Sequence, residues 1–560
     1  DTITCKTFLN LYNPQLLKFY EEDVKAGKKI RTCGYANYDK FSNDVVLMIS
    51  DMIVLGEVAK VSREDNEPVR RVELHAHSKM TVQDGVLDIE EYVNQAVQFK
   101  HKALAITDLH NVQAFPDFYN ATRGKDILPI FGVEGALVDE DKYKIALTNE
   151  NIDLRNATYV VYDLETTGFS SIYNEIIEVA AVKVKNGLVV DEFSTYVKPK
   201  NPITEFITDL TSITNDDVRN AKSIEEIIPE FKAFINGSIL VAHNATFDNS
   251  HLYANLKKYG LYDGVIPTID TLQLAKVRYG HKLKKFNLKA VAKFFDVELE
   301  QHHRAIYDAR TTAFVFIKML NDLLDDKIEN YQDINDIINE DDAFRLAYPT
   351  HLTIYARNQI GKKNLYKIIS DSHTVHFAGE PRVLKSFLNE HREGILIGSG
   401  CINGEVFVTA YEKGYDDLLE VMKFYDFIEV QPLSVCEVLV EKNKDENVRE
   451  YIKDTIKMII KAAKSLNKLV CATGDVHHLN KEDVILREIY VDAPRIGGGI
   501  HKLSDVENLP STHFMTTREM LDEFSFLGKD LAYEIVVTNT NKIADMFERF
   551  ETTISYAKSL

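Results

Sequence analysis

Short apolar runs that end in acidic or histidine residues recur along this chain and alternate with amphipathic segments. RVELHAH, starting at Arg71, is followed by IEEYVNQAVQF, whose apolar residues recur at helical spacing, and then by ALAITD from Ala103. A second series starts at Tyr159 with YVVYDLETTG and continues through IIEVAAVKV, PEFKAFI and SILVAHN. Strands that alternate with helices indicate an α/β fold that carries polar side chains at the ends of buried strands.

The length of the chain, 560 residues, predicts three or more domains. Residues 28–61 carry the apolar clusters VVLMI and IVLGEV before the polar linker SREDNEP, which predicts short strands of a small β module. After the acidic stretch LLDDKIENYQDINDIINEDD, α/β alternation resumes with HLTIYARN, GILIGSG, FIEVQP and LVCATGDVHHL. The sequence therefore predicts a multidomain α/β protein with a β module in front.

The cysteine content, net charge and apolar runs of the chain exclude several classes of function. The five cysteines form no CxxC pair, which argues against a disulfide framework and a thiolate zinc site. A net charge of -20 argues against an extended basic DNA channel. The basic run KVRYGHKLKKFNLK, residues 276–289, is equally compatible with a local DNA contact and a solvated surface. Because no apolar run approaches the roughly 20 residues that span a bilayer and no secretory signal starts the sequence, we expect a cytoplasmic protein without a membrane partner.

Four carboxylates and a histidine are expected to converge in the second α/β series. Asp163 and Glu165 lie two apart in an apolar run, so they face the same side of a strand. Asp248 follows LVAHNATF, where another apolar run ends. His303 and Asp308 in HHRAIYDA have a spacing that places both near one side of a helix.

This set of side chains suits two Mg²⁺ or Mn²⁺ ions. Hard oxygen ligands prefer hard cations, and two such ions about 3.5 to 4 Å apart stabilise both oxygens of a phosphodiester displacement. A histidine with an unperturbed pKa of roughly 6.5 can act as general base near neutral pH. We therefore expect His303 to be the base and activity to rise with pH.

The motifs DLETTG, HNATFD and HHRAIYDA resemble those of the DEDDh exonuclease superfamily over residues 158–324. The resemblance implies a ribonuclease-H-like fold and the removal of single nucleotides from a 3' end. It also implies that residues 166–168 approach the terminal nucleotide, although a simple turn closing a strand is the alternative for them. The substrate-binding residues implied are Thr166, Thr167, Gly168, His243 and Asn244.

Histidines and acids also follow apolar strands on both sides of this segment. The HxH pattern points two imidazoles the same way, and an acid-x-His pair elsewhere can complete a metal cluster. An isolated histidine is more often structural, but the repeated position at strand ends favours a metal site. The candidate ligands are His75, His77, Asp84, His110, Glu134, His351, Cys401, Asp475 and His477.

These motifs resemble the PHP (polymerase and histidinol phosphatase) domain. The resemblance implies a distorted α/β barrel that binds up to three metal ions, here Zn²⁺, Mn²⁺ or a similar cation. The family places histidine directly after the TD of its second motif, whereas this chain has Leu109 there and His110 one residue later. Because a shift by one residue turns a side chain to the other face of a strand, His110 can be a ligand only where the strand has already ended.

An exonuclease inserted in a PHP domain resembles the PolC-type family of bacterial replicative polymerases, DNA polymerase III alpha subunits. TTREMLDEFSFLG resembles the region before the polymerase palm, but the palm carboxylates are absent from this sequence, so polymerisation by this chain alone is not expected. The implied domains are a partial OB-fold-like module at 1–66, PHP portions at 67–155 and 327–500, the exonuclease at 156–326, and 501–560 leading into the palm.

The leading hypothesis is a proofreading exonuclease with the PHP portion as a metal-binding scaffold. The expected partners are DNA 3' ends, the remainder of the polymerase chain and replisome components such as a sliding clamp. The alternatives are a metal-dependent PHP phosphoesterase and an RNA-directed DEDDh exonuclease.

Overall fold

The computed structural model describes residues 4–7, 18–25, 27–40, 44–57, 63–298, 304–445, 447–494 and 499–550. The chain forms two compact units, Asp1–Glu64 and Asp65–Leu560.

The first unit contains a β-sheet with the described strands in the order β1-β3-β2. β1 is parallel to β3, and β2 is antiparallel to β3. VVLMI and most of IVLGEV lie in one long strand rather than in separate short ones, because Asp51 and Met52 between them pair with Cys33 and Thr32 of β2, while Ser50 lies at a β-bulge. The bounds are Cys5–Lys6 (β1), Lys28–Asp39 (β2) and Asp44–Glu57 (β3), with a π-helical turn at Phe19–Asp23.

The middle of the second unit is a mixed sheet with the described strands in the order β10-β9-β6-β7-β8. β6, β7 and β8 are antiparallel neighbours, whereas β9 and β10 run parallel to β6. The strands are Thr158–Thr166 (β6), Ile176–Lys185 (β7), Leu188–Tyr196 (β8), Ile239–Ala242 (β9) and Thr268–Asp270 (β10).

Helices cover this sheet. The helix Ala305–Asp325 buries Ala309, Ala313, Phe316 and Leu320, which recur every three or four residues and so form one apolar face. This face packs in the same apolar core as Val161 of β6 and the other inward-facing strand residues. The remaining helices are Glu205–Thr211, Asn215–Val218, Ile224–Ile235, Ala245–Lys258, Thr271–Tyr279 and Leu288–Phe294, with a 3-10 turn at Tyr331–Ile337.

A larger sheet is built from the chain on both sides of this segment. Its described strands follow the order β12-β5-β11-β13-β14-β15, and β4 also pairs with β5. The strands are Ala103–Ile106 (β4), Leu128–Val138 (β5), Thr350–Ala356 (β11), Arg382–Leu384 (β12), Ile395–Gly398 (β13), Phe427–Val430 (β14) and Leu469–Ala472 (β15).

Residues 72–77 close this sheet into a ring. On one side Glu73 pairs in parallel with Leu104 of β4, and on the other Ala76 pairs in parallel with Val476 just after β15. The amide N–H of His77 donates to the carbonyl of Val476 at 2.7 Å. The larger sheet is therefore a barrel with helices outside it.

The barrel helices before the middle sheet are Ile89–Gln98 and Phe115–Thr122, followed by a 3-10 turn at Glu140–Lys142. After the middle sheet come Glu340–Leu346, Gln359–Thr374, Lys385–Glu390, Glu405–Glu412, Tyr415–Met422, Leu433–Asn443, Val448–Ser465 and Val484–Asp492, with a 3-10 turn at Lys481–Asp483.

The middle segment replaces the connection between two neighbouring barrel strands. β5 and β11 are antiparallel and adjacent, with Leu137 opposite Thr350, so the chain leaves the barrel and returns to it at almost the same place. Ala146 on the outgoing connection pairs with Ile269 of β10. The insertion therefore leaves the barrel pairing continuous.

The described C-terminal residues pack on the barrel. Thr517 Oγ1 accepts from the backbone N–H of Arg71 at 2.9 Å, and Thr540 Oγ1 accepts from that of Val72 at 3.2 Å. Among the described residues, none of the helices is both long and apolar enough to cross a membrane. The last elements are the helices Thr517–Glu523, Lys529–Tyr533 and Asn539–Ala544, a 3-10 turn at Ser525–Leu527 and a π-helical turn at Glu534–Thr538.

Candidate active site

Three carboxylates meet at the end of β6. Asp163 and Glu165 lie two apart on the strand, so their side chains share a face. Asp308 comes from the first turn of the helix Ala305–Asp325 and is 8% exposed. One oxygen of each of these three side chains lies within 4.8 Å of the others.

Asp248 lies beside these three carboxylates and is bonded to their strand. It belongs to the first turn of the helix Ala245–Lys258, and its Oδ1 accepts from the backbone N–H of Leu164 at 3.1 Å. Its charge contributes to the raised pKa of Asp163. The structure thus brings all four predicted carboxylates to one region.

Burial and mutual repulsion disfavour the charged forms of these acids. Burial and the neighbouring charges of Asp248, Glu165 and Asp308 raise the pKa of Asp163 well above its ordinary value. Burial, with Glu178 and Asp308, raises the pKa of Glu165 to about 8, against the opposing effect of Arg304. A set of oxygen ligands with this excess of negative charge fits Mg²⁺ or Mn²⁺.

Glu178 is a further residue of this site, not predicted from the sequence. It lies on β7 directly opposite Glu165 and is 1% exposed. Its carboxylate accepts from the backbone N–H of Ala305 at 3.1 Å and from Arg304 Nη2 at 3.2 Å. Glu178 therefore fixes the start of the helix that carries Asp308. The only sequence signal was an acid inside the apolar run IIEVAAVKV.

Asp270 is a second such residue. One oxygen accepts from the N–H of Asn244 at 3.2 Å and the other from that of Ala245 at 3.0 Å. The first oxygen also accepts from Leu272 N–H at 2.9 Å. Burial raises the pKa of Asp270 to about 6. This carboxyl group joins the starts of two helices, including the one that carries Asp248.

The predicted substrate-binding residues lie at the end of β6 and in the connections that follow β6 and β9. His243 Nδ1 lies 3.0 Å from Thr271 Oγ1, and Nε2 lies 2.8 Å from the carbonyl oxygen of Phe286. Both ring nitrogens are thus engaged within the protein, and burial lowers the pKa of His243 to about 4. Asn244 has a left-handed backbone, with φ 78°, where the helix begins.

Residues 166–168 form a tight turn that begins with Thr166, the last residue of β6. Thr166 Oγ1 donates to the carbonyl of Gly168 at 2.7 Å. Thr167 exchanges two hydrogen bonds with Glu175, through the backbone N–H and Oγ1 of Thr167, at 2.9 Å each. His303, expected to be the general base, lies outside the described residues.

A second cluster lies at the barrel strand ends. His75, His77 and Asp475 place their ligand atoms within 4.8 Å of one another, and Glu134, His351 and Cys401 do likewise. Glu134 joins the two groups, with its oxygens 3.5 Å from Nε2 of both His75 and His77.

The two HxH imidazoles are oriented as metal ligands are. Nδ1 of His75 lies 2.9 Å from Glu429 Oε2, and Nδ1 of His77 lies 3.1 Å from Thr81 Oγ1. Their Nε2 atoms are buried and have no hydrogen-bond partner among the described residues. An imidazole held through one nitrogen with the other directed at acids fits a metal ion. Glu429 was not predicted, because it lies inside the apolar run FIEVQP of β14.

The remaining candidate ligands of the barrel are His477, Asp84 and His110. His477 stacks on His77 with ring centroids 4.4 Å apart, and its Nε2 lies 3.5 Å from Asp84 Oδ2. His110 follows the end of β4, has a left-handed backbone with φ 64°, and places Nε2 3.7 Å from Glu380. Its side chain is thus outside the two groups of three ligands.

The comparisons with known proteins agree with this geometry. A family model described as "Exonuclease" (RNase_T) matches residues 160–316, which include the three carboxylates. "DNA polymerase III PolC-type" of Staphylococcus saprophyticus is 42% identical over 554 residues, 98% of this chain and 37% of that protein. The protein of the same name from Halalkalibacterium halodurans is 43% identical over 526 residues, 94% of this chain and 36% of that protein.

Among solved structures, exonuclease X in complex with 5' overhanging duplex DNA is 29% identical and covers 32% of this chain and 98% of that one, with a TM-score of 0.26. The chain thus spans little more than a third of the length of its polymerase relatives. The predicted resemblance to PolC-type polymerases and the predicted exonuclease domain are confirmed.

Proposed function

We propose that this chain is the proofreading part of a PolC-type replicative DNA polymerase and removes mismatched nucleotides from DNA 3' ends. The observation that carries this proposal is the meeting of Asp163, Glu165 and Asp308 within 4.8 Å inside the exonuclease match. Such a site suits metal-dependent phosphodiester hydrolysis, because its three acids converge on one small volume.

In this mechanism, side chains of the protein would bind the divalent cations and take the proton from the attacking water. Divalent cations, when bound, neutralise the charge that develops on the attacking and leaving oxygens. Asp163, Glu165 and Asp308 would hold them, and Asp248 completes the set from its position against Leu164. His303, five residues before Asp308, would accept the proton of the attacking water at an imidazole nitrogen. Activity is then expected to rise with pH as His303 loses its proton.

On the substrate side, residues 166–168 would contact the terminal nucleotide, while His243 and Asn244 support the start of the helix that carries Asp248. A mismatched end costs less to unpair than a matched one, which gives a physical basis for editing. Because the relatives are nearly three times as long as this chain, we propose the remaining polymerase domains and a sliding clamp as partners.

The domain assignment is part of the proposal. Residues 156–326 would be the ribonuclease-H-like exonuclease, and 67–155 with 327–500 a distorted PHP barrel. The closed ring of strands and the buried, unbonded Nε2 atoms of His75 and His77 support a barrel that binds Zn²⁺, Mn²⁺ or a similar cation. Residues 1–66 would be part of an OB-like module, and 501–560 would lead into the palm.

The second cluster of ligands favours one alternative, a PHP phosphoesterase. That function predicts activity that survives Asp163→Ala and is lost in His75→Ala, whereas proofreading predicts the reverse. An RNA-directed exonuclease would degrade a labelled RNA strand at least as fast as DNA of the same sequence.

The proposal is tested with a 5'-labelled primer-template, matched or mismatched at its 3' end, and Mg²⁺ or Mn²⁺. The parent should release nucleotides one at a time and faster from the mismatch, and Asp163→Ala should slow this more than about 100-fold. Asp191→Ala, which removes an exposed carboxylate from β8 of the same sheet, is the matched control. Equal digestion by the parent and Asp163→Ala would refute the assignment.

A further inference from the structure

The residues that follow the predicted nucleotide-binding connection form a strap, defined as residues 169–174. Hydrogen bonds of Asn174 join the strap to that connection. Asn174 Nδ2 donates to the carbonyl of Thr167 at 3.3 Å, and Asn174 Oδ1 accepts from the N–H of Ser170 at 2.9 Å. A movement of the strap is therefore passed directly to residues 166–168.

The strap also bonds to the barrel, at the end of the helix Glu405–Glu412. Ser170, which is fully buried, donates through Oγ to the carbonyl of Tyr411. Ser171 donates to the carbonyl of Glu412 through its N–H at 3.0 Å and its Oγ at 2.6 Å. The last carbonyls of a helix have no partner within that helix, so the strap supplies the donors they need.

An aromatic stack completes the contact. The ring of Tyr173 lies 4.6 Å from that of Tyr451 on the helix Val448–Ser465, with 10° between the planes. Tyr173 also lies 5.6 Å from Tyr411, and its hydroxyl is 3.0 Å from Oγ1 of the fully buried Thr455. These partners belong to the barrel and lie far outside the exonuclease match at 160–316.

We propose that Tyr173 is a positioning residue for the exonuclease: its stack on Tyr451 holds the strap on the barrel and so keeps residues 166–168 in one conformation beside the carboxylates. This inference rests on the proposed function and deepens it. Asp163 and Glu165 are held by their own sheet, whereas the strap that follows residues 166–168 is held by bonds to the barrel. The barrel therefore shapes the nucleotide site without touching the substrate. Loss of the stack should weaken substrate binding, because residues 166–168 must then be ordered when the substrate binds. The chemical step should change little, because the carboxylates keep their positions.

The test is a double-mutant cycle on the stack, with steady-state kinetics on a single-stranded oligonucleotide and Mg²⁺. Tyr173→Ala and Tyr451→Ala should each raise KM by about three- to tenfold and change kcat less than about twofold. The double variant should be no worse than either single one. Tyr173→Phe, which keeps the stack, should behave as the parent does, and Tyr348→Ala, which removes a 90% exposed tyrosine, is the control.

Hydrogen exchange gives a readout independent of activity. Amides of residues 167–175 should exchange faster in Tyr173→Ala and in Tyr451→Ala, while those of β6 stay unchanged. Should Tyr173→Ala fail to fold, Tyr451→Ala carries the same test from the barrel side. Parental KM and exchange in Tyr451→Ala, or fully additive effects in the double variant, would overturn the inference. A parent that removes no nucleotides would refute the proposed function instead, and hydrogen exchange would still decide the role of the strap.

Discussion

Removing one charge from the carboxylate site should stabilise the metal-free protein. Glu165 is the best position, because burial, Glu178 and Asp308 raise its pKa from 4.5 to about 8. A folded-state pKa above the unfolded one means that the stabilising, protonated form is complete below about pH 4.5 and is lost as pH rises through 8. A rise of this size corresponds to about 5 kcal/mol.

Glu165→Gln keeps the shape of the side chain but cannot ionise, so it does not lose this stability as the pH rises. In EDTA we expect the variant to be more stable than the parent by up to about 4 kcal/mol at pH 8, and by less than about 1 kcal/mol at pH 5. Added Mg²⁺ should narrow or reverse the difference at pH 8, since the parent binds the ion better and binding stabilises the folded state. The free energy of unfolding is measured by urea denaturation in each condition.

The matched control for this prediction is Glu192→Gln on β8 of the same sheet. Arg310 binds Glu192 through two hydrogen bonds and lowers its pKa, so the control should be slightly destabilised, by at most about 1 kcal/mol, at either pH. If Glu165→Gln in EDTA is no more stable than the parent at pH 8, or gains equally at both pH values, the pKa of Glu165 is not raised in the folded protein and the reasoning is wrong.

Three further substitutions test separate contacts. His77→Ala should lower the Tm and the bound metal, measured by mass spectrometry, while the exonuclease rate stays near that of the parent; an unchanged Tm would contradict a stabilising metal. Glu178→Ala leaves the N–H of Ala305 buried without its acceptor, so we expect a loss of about 1 to 3 kcal/mol in urea denaturation and a lower kcat. Asp270→Ala removes the acceptor of Ala245 N–H and should raise the Mg²⁺ concentration needed for half-maximal activity.

The parts of the site that follow from strand alternation and strand ends were predictable. Asp163 and Glu165 converge because they lie two apart on β6, and Asp308 joins them from the first turn of a helix. The α/β class followed in the same way from apolar runs that alternate with amphipathic segments. These are local properties, readable within a window of ten residues.

The residues that support the site were not predictable, because their roles depend on pairing between distant segments. Glu178 matters because β7 places it opposite Glu165, and Glu429 matters because β14 brings it to His75. In the sequence each is a single acid within an apolar strand. His110 was ambiguous for a related reason: only the end of β4 and the left-handed backbone decide where its ring points.

The ring closure has a consequence for synthesis on the ribosome. The inserted sheet is contiguous in the chain and can fold as soon as the helix Ala305–Asp325 has emerged, whereas Val476, which closes the ring against Ala76, is made about 150 residues later. At 5 to 20 residues per second this delay lasts roughly 8 to 30 s. During that time the backbone groups of the first barrel segment that later pair with Val476 have no strand partner. The nascent chain is therefore expected to depend on chaperones most strongly in this interval.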